Sequence, residues 1–213
     1  VINAVRSPVA PPSLAAGTKY NGRDVVDTLL RDFLGKCYLC EIHITVREHS
    51  VDHRRPRAQF PELVCAWANL FPSCRDCNER RPKIPSGGLL DPTRDDVEAR
   101  LAQTTQVNAG GTAEVPWFAA REPADALAVA TAAELNHLHN SRSVKAAELR
   151  SAITARIDEV LQHILDFHTH GSSTRGPVRT VWEEPLRHDF SRRAPFTALV
   201  RGRLGAGLES LFD

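Results

Sequence analysis

At 213 residues the chain is long enough for one domain of ordinary size, or for a small domain with elaborations. A hydrophobic content of 42% and a charged content of 25% read as soluble and globular, and no apolar run approaches the length of a membrane span. The net charge of +1 excludes a generally basic chain, so any attraction for polyanions must come from a local concentration of charge.

Residues 1–20 carry Pro8, Pro11 and Pro12 and predict an extended arm. Asn21 is placed to cap a short helix with Val25, Val26, Leu29, Leu30 and Phe33 on one side, and Gly35 closes it. The next stretch, from Cys37 to Lys83, organises the rest. Two C-x2-C pairs, Cys37/Cys40 and Cys74/Cys77, are separated by 33 residues. Two residues between thiolates let one tight turn present both sulfurs to a tetrahedral ion, so the four cysteines predict a structural Zn2+ site. Disulfides are the competing reading. They belong to oxidising compartments, whereas nothing here resembles a secretory segment and the expected location is cytoplasmic. Four thiolates leave no open position for water, so this ion is not the catalytic one. The fifth thiol, Cys65, reads as a packing residue.

Beyond Lys83 the segment IPSGGLLDPTRDD is rich in turn formers. Residues 98–108 and 112–118 read as a hairpin around Gly110-Gly111. From Ala124 the period becomes helical: one or two short helices, then a longer one that begins at Ser143, with Val144, Ala147, Ile153, Ile157, Val160 and Ile164 as its apolar stripe. HGSSTRGP reads as a loop. A last helix follows Pro195, with Phe196, Leu199, Val200, Leu204, Leu208 and Leu211 on one face. The histidines of this half, from His137 to His188, form no matching ligand set.

Chemistry must then come from Asp52, His53, Asn69 and Asn78, inside or beside the cysteine frame. VDHRRPR, ANLFPSC and CRDCNERRPK, in that order, resemble the HNH endonuclease family. The resemblance implies a ββα-metal site: Asp52-His53 on one strand, Asn69 on the next, and Asn78 on a short helix that Pro82 stops. Asn78 stands where the eponymous pattern has histidine. Asp52 and Asn78 offer hard oxygen ligands, which suit Mg2+ or Mn2+ better than zinc. His53, with an ordinary pKa of about 6.5, suits proton removal from water attacking at phosphorus. By resemblance, Asn69 orients the loop that carries His53. His49, four residues upstream, lies close enough in sequence to approach the same site. Arg54, Arg55, Arg57, Arg75, Arg80, Arg81 and Lys83 gather on the same stretch, as expected for phosphate contacts.

The fold class expected is therefore α+β. It comprises an arm and short helix over 1–35, a zinc-stapled HNH core with a following hairpin over 36–120, and a helical, partner-docking region over 121–213. The order of CYLCE, VDHRRPR, WANLFPSCRDCN, GLLDPTRDD and ELNHLHNSR resembles the PtuB family, HNH nuclease subunits of Septu anti-phage systems that also occur with some retrons. That likeness implies a partner ATPase of the ABC/SMC type (PtuA-like). The substrate expected is nucleic acid, DNA ahead of RNA. Two other readings stay open at this point: a zinc-stapled module that binds nucleic acid or protein without cutting, and a stand-alone HNH restriction nuclease.

Overall fold

In the computed structural model, which describes residues 2–17, 19–45, 47–81, 88–108, 110–111 and 113–213, the proline-bearing arm is docked on the core and does not run free. Arg6 pins it. Its guanidinium donates to the carbonyls of Trp67 (2.8 Å) and Leu70 (2.9 Å) and lies over the rings of Trp67 and Phe71. Burial pulls the Arg6 pKa down to about 10, a cost that these carbonyls and ring faces offset. Residues Pro12–Ala15 form a single helical turn, α1.

Helix α2 spans Arg23–Asp32 and buries Val25, Val26 and Leu29, as their spacing predicts. Its N-cap is Gly22, not Asn21. Position 22 has no room for a side chain: a Cβ there would lie 2.8 Å from both Asp24 Oδ1 and Ser13 Oγ, which are hydrogen-bonded at 2.6 Å. The helix unwinds through Leu34 and Gly35, both at positive φ, and the Gly35 N–H donates back to the Leu30 carbonyl.

Strand β1 (His49–His53) pairs antiparallel with β2 (Leu70–Cys74) in the register His49↔Cys74 to His53↔Leu70. Helix α3 (Arg75–Arg80) leaves β2 without a linker. This is the ββα order. Phe71 on β2 is fully buried between Phe33 (5.7 Å) and Tyr38 (4.9 Å), which fixes the sheet against α2 and the first cysteine turn. Pro82, expected to stop α3, lies outside the described residues. A short α4 (Val97–Arg100), capped by Asp96, leads into the two-stranded sheet of β3 (Leu101–Val107) and β4 (Glu114–Ala120).

The helical half comprises α5 (Ala126–Asn140), α6 (Val144–Asp166), α7 (Pro177–Asp189) and α8 (Thr197–Leu204). The Ser143 hydroxyl caps α6 as predicted, accepting from the Ala146 N–H. Three expectations fail here. Val144 and Ala147 are exposed, and the buried stripe starts instead from Ala146 and Leu149. Helix α7 occupies a stretch with no helix predicted. The last helix stops at Leu204, so Leu208 and Leu211 reach the core from a separate turn. Among the described residues no helix is long and apolar enough to cross a membrane.

By backbone contacts the chain forms two compact units, Val1–Ala102 with Phe118–Leu138, and Gln103–Trp117 with His139–Asp213. The second unit centres on Val160, Leu186, Phe190 and Val200. There the buried Asp189 carboxylate accepts from Arg156 and pairs with His163, each at 2.7 Å.

Candidate active site

The cysteines set the frame. In the first turn the Cys37 N–H donates to the Ile42 carbonyl and the Glu41 N–H to the Cys37 carbonyl, and a buried Lys36–Glu41 ion pair (3.3 Å) braces it. In the second, Cys74 caps α3, its Sγ accepting from the Cys77 N–H at 3.4 Å. All four Sγ atoms lie within 4.8 Å of one another, and Cys40 and Cys74 are 3.9 Å apart. A zinc ion with Zn–S of about 2.3 Å needs sulfurs roughly 3.8 Å apart, so the set fits. Among the described residues no other group of three or more potential His, Cys, Asp or Glu ligands gathers. Cys65 is outside both the frame and the core: it is half-buried, and its thiol reaches only the Gly17 carbonyl at 3.8 Å.

Because α3 starts where β2 ends, Asn78 is carried to β1, where its Nδ2 donates to Ser50 Oγ at 2.8 Å. Asp52, His53 and Asn78 thereby line one cleft of about 420 Å³, together with Tyr20, His49, Ser50, Arg57 and Arg81. The His53 ring is held from two sides. Its Nε2 lies 3.0 Å from the Val64 carbonyl, which can only accept, so Nε2 carries the proton and Nδ1 the lone pair. Tyr20 packs edge-on to the ring with centroids 4.8 Å apart. Burial pulls the His53 pKa below the usual imidazole value, and Arg57 adds to this, against the opposing effect of the Val64 carbonyl.

Asn69 does not line the cleft. Its Oδ1 accepts from the Arg55 N–H (2.8 Å), and its Nδ2 donates to the carbonyls of Arg55 (3.1 Å) and Leu63 (3.2 Å). The loop between the strands is thus clipped at both ends, and with it the Val64 carbonyl that holds His53.

The arginines part company. Arg54 donates to the Leu89 carbonyl (2.6 Å) and Arg80 to the Leu138 carbonyl (2.7 Å), so both are turned inward. Arg55 lies over the Phe60 ring, and Arg57 is exposed at the cleft with its Nη1 on the Tyr20 hydroxyl (2.9 Å). Arg81 Nη1 pairs with Asp52 Oδ2 and donates to the Tyr38 hydroxyl at 2.8 Å. Burial pushes the Tyr38 phenol up, so it stays protonated and donates to the same Asp52 oxygen at 2.5 Å. Lys83 lies outside the described residues.

Sequence reasoning passed over Tyr20, Tyr38 and Glu134. Tyr38 had a signal, an aromatic hydroxyl inside the cysteine turn. Glu134, on α5, is buried, and burial raises its pKa to about 7 while the positive charge of Arg81 works in the other direction. Nothing local marks it.

Residues 37–83, which hold the frame and the strand–strand–helix order, match the HNH endonuclease family. Over 64 residues the chain is also 34% identical to the Septu protein PtuB of Bacillus thuringiensis, a match covering 28% of this chain. It spans about a quarter of that relative's length. HNH nucleases use divalent metals.

Proposed function

We propose that this chain is a divalent-cation-dependent endonuclease acting on nucleic acid, and that it serves as the effector of an ATPase-controlled anti-phage complex. The observation that carries the reading is the shared cleft of Asp52, His53 and Asn78. Asp52 and Asn78 would hold Mg2+ or Mn2+ through carboxylate and amide oxygens. When bound, such a cation would supply Lewis acidity at the scissile phosphate and charge stabilisation for the departing oxygen. His53 Nδ1 takes the proton from the attacking water, while its Nε2–H stays on the Val64 carbonyl. Asn69 keeps that carbonyl in place. Arg57 is the arginine best situated for phosphate, being exposed at the cleft mouth. The likeness to PtuB supports the defence role and a PtuA-like ABC/SMC-type ATPase as the partner.

The test is incubation of the purified chain, alone and with a co-purified ATPase, with plasmid, genomic DNA and tRNA under Mg2+, Mn2+ or EDTA. Scission with either cation and none in EDTA is expected. Intact substrates in every arm would reject the nuclease reading.

A pH profile adds a second check. A base with a lowered pKa is neutral further into acid, so kcat/KM should hold its plateau below pH 6.5 and fall only as His53 becomes protonated. A profile that breaks above the ordinary imidazole value contradicts the assignment.

A further inference from the structure

Asp52 has two cationic suitors in the reading above: the divalent ion, and the guanidinium of Arg81 that already pairs with its Oδ2. Both cannot share one carboxylate without repulsion. The surroundings of Arg81 offer a resolution. Its side chain is 5% exposed, and among the described residues its Nε and Nη2 are buried without hydrogen-bond partners. So is Oε1 of Glu134, which is near enough for the two charges to act on each other. The orphan donors of Arg81 and the orphan acceptor of Glu134 thus belong to segments already joined by the 2.7 Å bond from Arg80, next to Arg81, to the Leu138 carbonyl, one helical turn from Glu134 along α5. Helix α5 holds Glu134 there because its neighbours are anchored to the same unit: Thr131 accepts from the Leu90 N–H, Asn136 bonds the Phe118 backbone, and Arg80 of α3 donates to the Leu138 carbonyl.

We propose that Glu134 is a positioning residue for the cation site: it draws the Arg81 guanidinium from Asp52 and so releases the carboxylate to a divalent ion. This rests on the nuclease reading only through its cation at Asp52. Arg81 then competes with the ion, and an ionised Glu134 relieves the competition. The signs are opposite and fixed: loss of the Glu134 charge weakens cation binding, and loss of the Arg81 charge strengthens it.

The experiment is Mn2+ titration of the zinc-loaded full chain, followed by electron paramagnetic resonance of the free ion, with no substrate present. Glu134→Gln is expected to raise the Mn2+ dissociation constant by about tenfold, within the usual range for coupled sites. Arg81→Gln is expected to lower it, and Glu134→Gln added to Arg81→Gln to change nothing further. Equal effects of Glu134→Gln in both backgrounds, or none in either, overturn the proposal. Asp52→Asn separates the two layers. If it abolishes Mn2+ binding while Glu134→Gln leaves binding untouched, the cation reading stands and this inference falls. If Asp52→Asn binds as the wild type does, the cation reading itself falls. Should Glu134→Gln fail to fold, Arg81→Gln alone decides, since unchanged or weaker Mn2+ binding there overturns the competition.

Discussion

Replacement of His53 by alanine is expected to lower the rate of nucleic-acid cleavage by at least about 10²-fold, the usual contribution of a positioned base, while the chain folds and keeps its zinc. The size follows from how little else in the cleft can remove a proton. Asp52 is engaged by Tyr38 and Arg81, Asn78 has no basic atom, and His49 opposes Cys74 at the far end of β1 from His53. The structural cost is small by comparison. Alanine forfeits the edge contact with Tyr20, on the order of 1 kcal/mol, and leaves the Val64 carbonyl to water from the cleft. None of the four cysteines touches the ring. Initial rates at saturating Mn2+, zinc per chain and a thermal melt separate the two effects. Activity within tenfold of wild type would remove His53 from the role of base.

That Asp52, His53 and Asn78 would meet in one cleft was readable because they are local to elements that the sequence marks. Cysteine spacing gives the two turns, β1 carries adjacent Asp52 and His53, and Asn78 follows Cys77 directly. What the arginines do was not readable, because a guanidinium chooses its partner through space. Arg54 and Arg80 find carbonyls 35 and 58 residues away, and Arg81, at the end of α3, finds an aspartate on β1. A run that looks like one basic face therefore splits, leaving Arg57 at the cleft mouth and turning Arg54 and Arg80 inward. The same holds for Tyr20, which reaches the His53 ring across 33 residues of sequence. In the helical half, α7 escaped notice because Pro185 sits inside it. The bond that proline removes would have reached the carbonyl of Val181, whose residue is 64% exposed, so water can replace it. The stripe of α6 was misread because Val144 and Ala147 are apolar yet exposed, and because Arg156 occupies a core position, buried against Asp189 and Glu159. Pattern reading assigns such positions to aliphatic residues.

Cys37→Ser is expected to lose zinc and solubility together. A serine hydroxyl replaces a thiolate that is fully buried in the frame, and it is a poor ligand for an ion that favours sulfur and nitrogen. Structural zinc contributes roughly 10–16 kcal/mol of apparent binding free energy, whereas whole domains are stable by only about 5–15 kcal/mol. Losing half of the former, roughly 5–8 kcal/mol, removes a large share of that stability. The cleft would go with it, since the same frame aligns the residues that line it. Tyr38, next to Cys37, donates its hydroxyl to Asp52, and Cys74 caps the helix that brings Asn78 and Arg81 to the cleft. Cys65→Ser is the matched control: its thiol has only a 3.8 Å contact with a carbonyl, so zinc content and melting temperature should hold. Elemental analysis and circular dichroism on both variants read the difference. A soluble, cooperatively melting Cys37→Ser chain without zinc would mean that the cysteines are packing residues and that the ββα order is held by its apolar core, with Phe71 between Phe33 and Tyr38 as its centre.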